Sequence, residues 1–357
     1  MIRVGVVGFG LGGRVFHAPL VSSVEGLELA AVVERSGDMA RNRYADVQIF
    51  RSLDELLQQK SIELVVITTP SGNHFEAAKL SLEAGKNVVV DKPMAASSVQ
   101  IADLMRVAAE RKLLIAPFHN RRWDSDFRTI QKLLDEKRLG RLVGFESYFD
   151  RWRPAPRAGS WKEDPEQGGG LLLDIGTHLA DQALVLFGKP EAVGAEAMRE
   201  RDGAGTEDAF TIRLRYPGFL VTLGSNCLAS PGRPRYLLRG TKGNYWKWGL
   251  DPQETALGQL TRIPDGPWGQ EPAANWGTLN VDVDGGMVIR PVTPIPGDYR
   301  LYYAGIRDAL LGTEQAPVTT LDAWRTAKLL EWAAKSAEKR REIVCDWSEE
   351  EALCSAL

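Results

Sequence analysis

A glycine-rich segment near the N-terminus carries the clearest chemical signal of the sequence. Gly8, Gly10 and Gly13 fit the pattern G-x-G-x-x-G, which follows an apolar run over residues 2–7 and opens a predicted helix. In dinucleotide-binding folds the first glycine permits a tight turn, the second lets the backbone approach a pyrophosphate, and the third allows close packing of helix on strand. The pyrophosphate then lies on the free N–H groups at the helix N-terminus. The segment therefore predicts a dinucleotide site; the alternative is a set of glycines that serve only a tight turn.

The residues that end the second predicted strand bear on the choice of dinucleotide. Glu34 lies about 20 residues after Gly13, the interval at which such folds place the residue that contacts the adenosine ribose. A carboxylate there accepts hydrogen bonds from both ribose hydroxyls and favours NAD. Arg35 and Ser36 could instead hold a 2′-phosphate and favour NADP, provided that Glu34 turns away. The residues alone leave both cofactors open.

Two polar segments come directly after later predicted strands. Because ligands of open α/β sheets bind outside the carboxyl ends of the strands, both segments would line the cofactor cleft. They are Thr68, Thr69, Pro70, Asn73 and His74 after one strand, and Asp91, Lys92 and Pro93 after the next. The bond between Lys92 and Pro93 is also a candidate cis peptide, since proline lowers the penalty of that conformation.

A third polar set lies in a helix predicted over residues 171–187. Asp174 and His178 are four positions apart and share one face of this helix, which Asp181 and Gln182 extend. Polar side chains on an otherwise apolar helix need either a cleft or buried partners. The pair is thus either part of a site or a capped, solvated face.

The elements that must position these residues alternate between strand and helix over the first 120 residues. Apolar runs followed by segments with three- and four-residue apolar spacing indicate a parallel sheet covered on both faces. Strands are predicted at 2–7, 29–33, 64–68, 87–90 and 113–117, and the clearest helices at 75–83 and 99–111. We predict that residues 1–120 form a Rossmann dinucleotide-binding domain.

Period-two runs become frequent after His119 and indicate a second domain over residues 121–357. Its predicted strands are 142–149, 209–215, 220–226 and 236–239, its predicted helices are 125–136, 171–187, 302–311 and 321–339, and long loops around short strands are expected over 251–298. This is an α+β substrate-binding and oligomerisation domain with a mostly antiparallel open sheet, in a chain that is α/β overall. The helix at about 321–339 could pack back on the first domain.

Composition limits the classes of partner. The 357 residues include 44 Lys+Arg and 47 Asp+Glu, a net charge of −3, so no basic excess suits nucleic acid. No stretch approaches the ~18 apolar residues of a membrane helix, and no export signal is visible, so we expect a cytoplasmic protein without a membrane partner. Cys227, Cys345 and Cys354 are an odd set without zinc-type spacing, and the four histidines lack ligand spacing, so neither a disulfide nor a metal site is expected.

These motifs, taken together, resemble the glucose–fructose oxidoreductase/inositol dehydrogenase (Gfo/Idh/MocA) family over nearly the whole chain. The matching pieces are the glycine loop, Asp91-Lys92-Pro93 where the family usually has Glu-Lys-Pro, and Gly168-Gly169-Gly170 leading into Asp174 and His178. Residues 118–127 and 249–254 further resemble a bacterial subgroup that includes NADP-dependent scyllo-inositol dehydrogenases. The likeness favours NADP slightly, although Glu34 departs from the small polar residue expected at its position.

The resemblance implies roles for three residues. Lys92 would hydrogen-bond the reacting oxygen and stabilise its developing negative charge. Asp174 would bind a substrate hydroxyl and help to hold Lys92. His178 would be the general base in alcohol oxidation and the general acid in ketone reduction, since the reference pKa of imidazole, about 6.5, lies near cytosolic pH. The hydride would pass directly between the substrate carbon and the nicotinamide.

Further residues are predicted to bind the two ligands. The cofactor-binding set is Gly8, Phe9, Gly10, Leu11, Gly13, Arg14, Val15, Glu34, Arg35, Ser36, Thr68, Thr69, Pro70, Asn73, His74, Asp91, Lys92, Pro93 and Asn120. The substrate-binding set is Lys92, Asn120, Arg121, Arg122, Asp150, Trp152, Trp161, Asp174 and His178, with Asp126 and Arg151 as further candidates. Indole rings, guanidinium groups and carboxylates suit a polyol, but each of these residues could equally serve sheet packing or a surface ion pair. His17 and His119 are expected to be structural.

The sequence thus predicts an NAD(P)-dependent oxidoreductase that acts on the hydroxyl or ketone group of a small polyhydroxylated substrate, namely a polyol, an inositol or a sugar. Two alternatives differ in class. One is a glycosidase that oxidises and re-reduces its sugar on a bound nicotinamide cofactor, and the other is a non-catalytic dinucleotide sensor. A homodimer or homotetramer through the C-terminal sheet is expected.

Overall fold

The apolar runs of the first 120 residues form a six-stranded, all-parallel sheet in the computed structural model, which describes residues 1–157 and 159–355. Its strands are β1 (Ile2–Val7), β2 (Leu27–Val33), β3 (Gln48–Phe50), β4 (Leu64–Ile67), β5 (Asn87–Val90) and β6 (Ile115–Pro117). Their spatial order, β3-β2-β1-β4-β5-β6, is that of a Rossmann sheet. All four residues of β4 are buried, as expected of a parallel strand that is covered on both faces.

Helices follow these strands as the alternating pattern predicts. They are α1 (Ala18–Val21), α2 (Met39–Arg43), α3 (Leu53–Leu57), α4 (His74–Glu83) and α5 (Ser98–Arg111). The hydroxyls of Ser52 and Ser97 accept backbone N–H groups at the starts of α3 and α5, which fixes where those helices begin. The helix predicted after the glycine loop is present, but its first part is a π-helical turn over Gly12–His17.

Residues after 120 build a second sheet, which has nine strands within the described residues. The strands are β7 (Leu142–Tyr148), β8 (Ala192–Met198), β9 (Ala209–Tyr216), β10 (Phe219–Asn226), β11 (Tyr236–Gly240), β12 (Gly243–Lys247), β13 (Gly277–Val283), β14 (Gly286–Val292) and β15 (Ile343–Val344). Their order is β14-β13-β12-β11-β7-β10-β9-β8-β15, and the β7–β10 pair is parallel while the other pairs are antiparallel. The predicted fold class is confirmed.

One face of this second sheet is covered by helices and the other is open. The helices of this half are α6 (Ser125–Asp135), α7 (Leu171–Asp174), α8 (Gly176–Phe187), α9 (Gln253–Leu257), α10 (Arg300–Leu310), α11 (Thr320–Lys339) and α12 (Ser348–Ser355). Phe127 of α6, Leu179 of α8 and Leu329 of α11 pack in one core with the inward side chains of β7, β9 and β10. The open face carries exposed apolar side chains such as Leu220 and Ile289, on the surface where the sequence predicts self-association.

Helix α11 joins the two halves of the chain. Trp324, near its start, packs into a core of the first domain, whereas Leu329 packs into the core of the second. The carboxylate of Glu331 accepts hydrogen bonds from the backbone N–H and the hydroxyl of Ser98, at 2.6 and 2.8 Å, where α5 begins. Helix α10 also packs on the first domain, through Tyr303 and its neighbours. The second half of the chain therefore holds the cofactor domain in a fixed place.

Some elements differ from the sequence-based expectation. The helix predicted over 171–187 is interrupted at Ile175 and forms α7 and α8. Strands β3, β8, β12 and β15 were not predicted, because they are short or rich in small and polar residues. Strands β13 and β14, of seven residues each, form a hairpin within a segment expected to be mostly loop. Among the described residues, no helix has the length and apolarity needed to cross a bilayer.

Candidate active site

A cleft of about 1420 Å³ lies where the two domains meet, at the carboxyl ends of β1, β4 and β5. Gly8, Thr68 and Asp91 line it from the first domain, directly after those three strands. Asp174 and His178 line it from α7 and α8 of the second domain. The cleft thus occupies the switch point between β1 and β4, where open α/β sheets bind their ligands.

The glycine loop has the conformation that a bound pyrophosphate requires. Gly8 has φ = 101°, which side chains rarely tolerate, and its carbonyl accepts a 2.8 Å hydrogen bond from the hydroxyl of Thr68. A Cβ atom on Gly13 would lie 2.1 Å from the carbonyl oxygen of Gly8, so the helix packs too closely on the strand for any side chain. A Cβ atom on Gly10 would meet no atom within 4 Å. Gly10 therefore faces open space in the cleft, and these residues fit a dinucleotide.

This contrast makes two alanine variants a matched test of the loop. Gly13→Ala should destabilise the fold by about 1–3 kcal/mol through overpacking. Gly10→Ala should leave the free energy of unfolding within about 0.5 kcal/mol of wild type. Gly10→Ala should still weaken dinucleotide binding by about tenfold or more, because the added methyl group occupies the space through which the backbone approaches the phosphates. Urea unfolding measures the change in stability, and calorimetric titration measures the change in dinucleotide affinity. Unchanged dinucleotide affinity in Gly10→Ala would mean that the phosphates bind elsewhere.

His74 ties together the two loops that follow β4 and β5. Its ring nitrogens lie 2.7 Å from the carbonyl oxygens of Thr69 and of Pro93, and the side chain is buried. Burial lowers the pKa of His74, and the nearby charge of Asp91 only partly offsets this. The peptide bond between Lys92 and Pro93 is cis, as predicted. The His74 ring thus ties the loop after β4 to the loop after β5.

Asp91 is also held in place at the end of β5. Its carboxylate accepts the backbone N–H of Lys92 at 2.8 Å and lies 3.6 Å from the Nε2 atom of His17. Burial would raise the pKa of Asp91, but His17, His74 and Lys92 together lower it to about 2. His17 in turn contacts the Tyr303 hydroxyl at 2.6 Å and is fully buried, which is a structural position. Asp91 therefore stays ionised beside the glycine loop.

Lys92 and Asp174 make the central contact between the domains. The Nζ atom of Lys92 donates to Oδ1 of Asp174 at 2.7 Å and to its backbone carbonyl at 2.6 Å. Lys162 donates to the same Oδ1 atom at 2.8 Å, so two ammonium groups share one carboxylate. Burial favours the protonated acid, yet the two lysines hold the pKa of Asp174 well below its usual range. Burial lowers the pKa of Lys92, Asp174 opposes that change, and Lys162 adds to it.

His178 lies in the first turn of α8 and lines the same cleft. The side chain is buried, and its Nδ1 atom has no hydrogen-bond partner among the described residues. Burial lowers the pKa of His178 well below the usual value, and the positive charges of Lys92 and Arg121 lower it further. The imidazole is therefore neutral near pH 7. A neutral imidazole close to an ammonium group can accept a proton from a hydroxyl whose oxygen the ammonium stabilises.

Most of the residues predicted from the sequence line this one cleft. They are Gly8, Phe9, Gly10, Leu11, Val15, Glu34, Arg35, Ser36, Thr68, Thr69, Pro70, Asn73, His74, Asp91, Lys92, Asn120, Arg121, Arg151, Trp161, Asp174 and His178. Gly13, Arg14 and Pro93 adjoin it in sequence but do not line it. Of the ten tryptophans, Trp161 lines the cleft, which favours packing roles for most of the others.

Four predicted substrate contacts lie outside the lining of the cleft. Arg122 pairs with Asp181 at 2.6 Å and with Asp322 at 3.3 Å. The other three are Asp150, which pairs with Arg233 at 2.7 Å, Asp126, which is buried 3.6 Å from Arg235, and Trp152, which is 59% exposed. His119 lies 3.1 Å from Asp181 in the same buried network, as expected of a structural histidine.

Several lining residues were not predicted from the sequence. Lys162, Arg153, Arg157 and Glu254 all line the cleft. Glu254 lies within a segment that supported the family resemblance, and Lys162 follows the predicted Trp161. Arg153 and Arg157 could have been found because they belong to a cluster of basic residues shortly before the Gly168-Gly169-Gly170 motif.

Known proteins resemble this chain over nearly its whole length. The NAD-binding Rossmann domain of the GFO/IDH/MocA oxidoreductase family matches residues 2–119, and the C-terminal domain of that family matches residues 127–246. The uncharacterized oxidoreductase YdgJ of Escherichia coli K12 is 39% identical, over 96% of this chain and 98% of its own. The scyllo-inositol 2-dehydrogenase (NADP(+)) IolW of Bacillus subtilis 168 is 33% identical, over 97% and 96%. A solved structure of YvaA from Bacillus subtilis superposes with a TM-score of 0.92 at 32% identity, over 97% of this chain and 100% of that one. The chain therefore belongs to the GFO/IDH/MocA family of oxidoreductases, whose first domain is an NAD-binding Rossmann fold.

Proposed function

We propose that this protein transfers a hydride between a nicotinamide dinucleotide and a carbon that bears a hydroxyl or ketone group in a polyol, an inositol or a sugar. The observation that carries the proposal is the 2.7 Å contact of Lys92 with Asp174 in the cleft that the glycine loop and His178 also line. The 33% identity to a protein named as an inositol dehydrogenase supports the same reaction class.

Each of the three polar residues has a defined task in this reaction. Lys92 directs its positive charge at the reacting oxygen, where negative charge develops as the hydride leaves the carbon. His178, neutral because of its burial, takes the hydroxyl proton during oxidation and returns it during reduction. Asp174 fixes the ammonium of Lys92 and offers its remaining carboxylate lone pairs to a neighbouring substrate hydroxyl.

The first domain would hold the dinucleotide with residues that already have suitable conformations. Gly8 and Gly10 would receive the pyrophosphate, Thr69 and Pro70 would lie along the nicotinamide half, and Asn120 would contact the ring or the substrate. The bound nicotinamide supplies the hydride acceptor or donor.

We further propose that NADP is the preferred form, because the carboxylate of Glu34 is engaged elsewhere. Its two oxygens accept the backbone N–H groups of Met39 and Ala40, at 3.2 and 3.1 Å, where α2 begins. A carboxylate whose two oxygens already accept backbone N–H groups has less capacity to accept the hydroxyls of a ribose. Arg35 and Ser36 are exposed at this end of the cleft and free to approach a 2′-phosphate.

Arg35→Ala tests this preference. The variant should lower kcat/KM for NADP by about 10–100-fold, because it removes a charge-assisted hydrogen bond to the phosphate. The value for NAD should change by less than about threefold. Arg41→Ala, an exposed arginine of α2 that does not line the cleft, is the matched control and should alter neither value. Equal losses with both cofactors in Arg35→Ala would contradict the preference.

The reaction class itself is tested by assaying inositols and sugars with NAD and with NADP. Net reduction of the nicotinamide by at least one free polyol supports the dehydrogenase. Cleavage of a glycoside without net nicotinamide reduction would instead support a redox glycosidase. Dinucleotide binding without any turnover would support a sensor.

A further inference from the structure

A cluster of basic residues lines the part of the cleft that belongs to the second domain. Arg151, Arg153, Arg157 and Lys162 all line it, next to Asp174. The same four residues and Asp174 also line a chamber of about 270 Å³ that opens beside the cleft. The cluster, called here the basic subsite, therefore lies on the substrate side of the Lys92–Asp174 contact and not at the glycine loop.

Three of the four basic side chains of the basic subsite make no ion pair with any described side chain. The guanidinium groups of Arg151, Arg153 and Arg157 have no carboxylate oxygen within 4 Å among the described side chains. Only the backbone N–H of Arg157 reaches one, Oε1 of Glu163 at 3.4 Å. Lys162 shares the single carboxylate of Asp174 with Lys92. Glu207, which also lines the chamber, accepts the backbone N–H of Leu172, and the other two carboxylates there, Glu163 and Asp208, pair with Arg201. Five basic and four acidic side chains thus line the chamber, and positive charge exceeds negative charge by one.

Two neighbouring arginines, by contrast, form ion pairs with carboxylates. Arg201 pairs with Asp208 at 2.8 Å and with Glu163 at 3.0 Å, and Arg121 pairs with Asp124 and Glu254. Arg201 and Arg121 are thus paired with carboxylates, whereas the three arginines of the basic subsite have no ion-pair partner among the described side chains.

Arg151 is the least exposed of the three arginines of the basic subsite. It is half-buried, and its guanidinium lies 5.4 Å from the centre of the Phe149 ring, a side chain that also lines the cleft. Burial lowers the pKa of Arg151, Asp174 opposes this change, and the positive charge of Arg153 adds to it. A partly desolvated cation among like charges is stabilised by a counter-anion, which a neutral polyol does not provide.

We propose that the substrate carries an anionic group, a carboxylate or a phosphate, and that the basic subsite binds this group while Lys92, Asp174 and His178 act on a hydroxyl elsewhere in the same molecule. This inference rests on the proposed function and narrows its substrate class to polyhydroxylated acids or sugar phosphates. The planar fork of an arginine matches both anions with two parallel hydrogen bonds. The phosphates of the dinucleotide are accounted for by the glycine loop in the other domain.

Glucose, glucuronate and glucose 6-phosphate form a suitable probe set, because they share a ring and differ in charge. Calorimetric titration of the NADP-loaded protein should show tighter binding of at least one of the two anions than of glucose, by about tenfold or more. Whichever of the two anions binds more tightly identifies the group as a carboxylate or a phosphate. Equal binding of all three compounds, or no binding of either anion, would overturn the inference.

Arg151→Met should weaken binding of the preferred anion by about 10–100-fold and change that of glucose by less than about threefold. Arg157→Met should also weaken binding of the preferred anion. Arg157 is exposed, so we expect the substitution to leave the fold intact. Arg106→Met removes an exposed arginine of α5 that pairs with Asp103 and Glu110, and it should change nothing. Loss of NADP affinity in Arg151→Met, with unaltered discrimination among the three probes, would assign this arginine to the cofactor and overturn the inference.

Turnover of the same three compounds tests the proposed function, separately from the basic subsite. Anion binding that depends on Arg151 supports the basic subsite whether or not the bound compound is oxidised. Absence of net nicotinamide reduction across the probes and the wider polyol panel would count against the proposed function alone.

Discussion

Replacing Lys92 by methionine is expected to lower kcat by at least about 10²–10³-fold, the loss that follows removal of one preorganised donor to a developing oxyanion. Methionine matches the aliphatic part of the lysine side chain but lacks the ammonium group that lies 2.7 Å from Asp174. Asp174 keeps its hydrogen bond from Lys162, so its carboxylate is not left unpaired and the fold should survive. Dinucleotide binding should change little, because the glycine loop is untouched.

Lys162→Met is the matched control for this experiment. Both lysines donate to the same Oδ1 atom, but Lys162 is 40% exposed and approaches from the second domain, whereas the side chain of Lys92 is 15% exposed and follows β5. Lys162→Met should therefore reduce kcat by less than about tenfold. Steady-state kinetics and dinucleotide titration of both variants give the comparison. Equal losses in the two variants would mean that Lys92 acts only by holding Asp174, and a kcat near wild type in Lys92→Met would remove it from the reaction.

The sequence predicts the half of the site that local patterns define. The glycine loop, Asp91-Lys92-Pro93 and the strands before them occupy short, continuous segments, so the order of a parallel sheet is enough to bring them together. Lys92 and Asp174 meet across the domains because helices α10 and α11 pack the second half of the chain onto the first, a contact that no local pattern specifies.

Residues whose partners are distant in sequence could not be predicted from their type. Arg122 and Arg151 look alike in the sequence, yet Arg122 pairs with Asp181 and Asp322, whereas the guanidinium of Arg151 faces the cleft with no carboxylate of the described residues within 4 Å. The direction of Glu34 likewise depends on α2, a five-residue helix whose first amides bind its carboxylate. Charge reveals that a side chain needs a partner, and only the fold determines whether that partner is the protein or a ligand.

Removing the imidazole of His178 is expected to slow the reaction by about 10²–10⁴-fold, the usual contribution of a general base. His178→Gln keeps most of the volume of the buried side chain but cannot transfer a proton, so its loss should be similar to that of His178→Ala. Burial and nearby cations lower the pKa of His178 well below its usual value. A base acts in its neutral form, and a lowered pKa extends the neutral form to lower pH. The rate of alcohol oxidation in the wild-type protein should therefore stay level as the pH falls through about 6.5, the reference value of histidine.

The pH profile and chemical rescue separate this role from a structural one. If oxidation in the wild-type protein fell with a midpoint near 6.5, a histidine with an ordinary pKa would be the base. His178→Ala leaves a space that opens on the cleft, so added imidazole should restore part of its rate. The same imidazole should not help Lys92→Met, because that variant lacks a positive charge and not a proton acceptor. Rescue of both variants, or of neither, would contradict the division of tasks in which Lys92 stabilises the oxygen and His178 carries its proton.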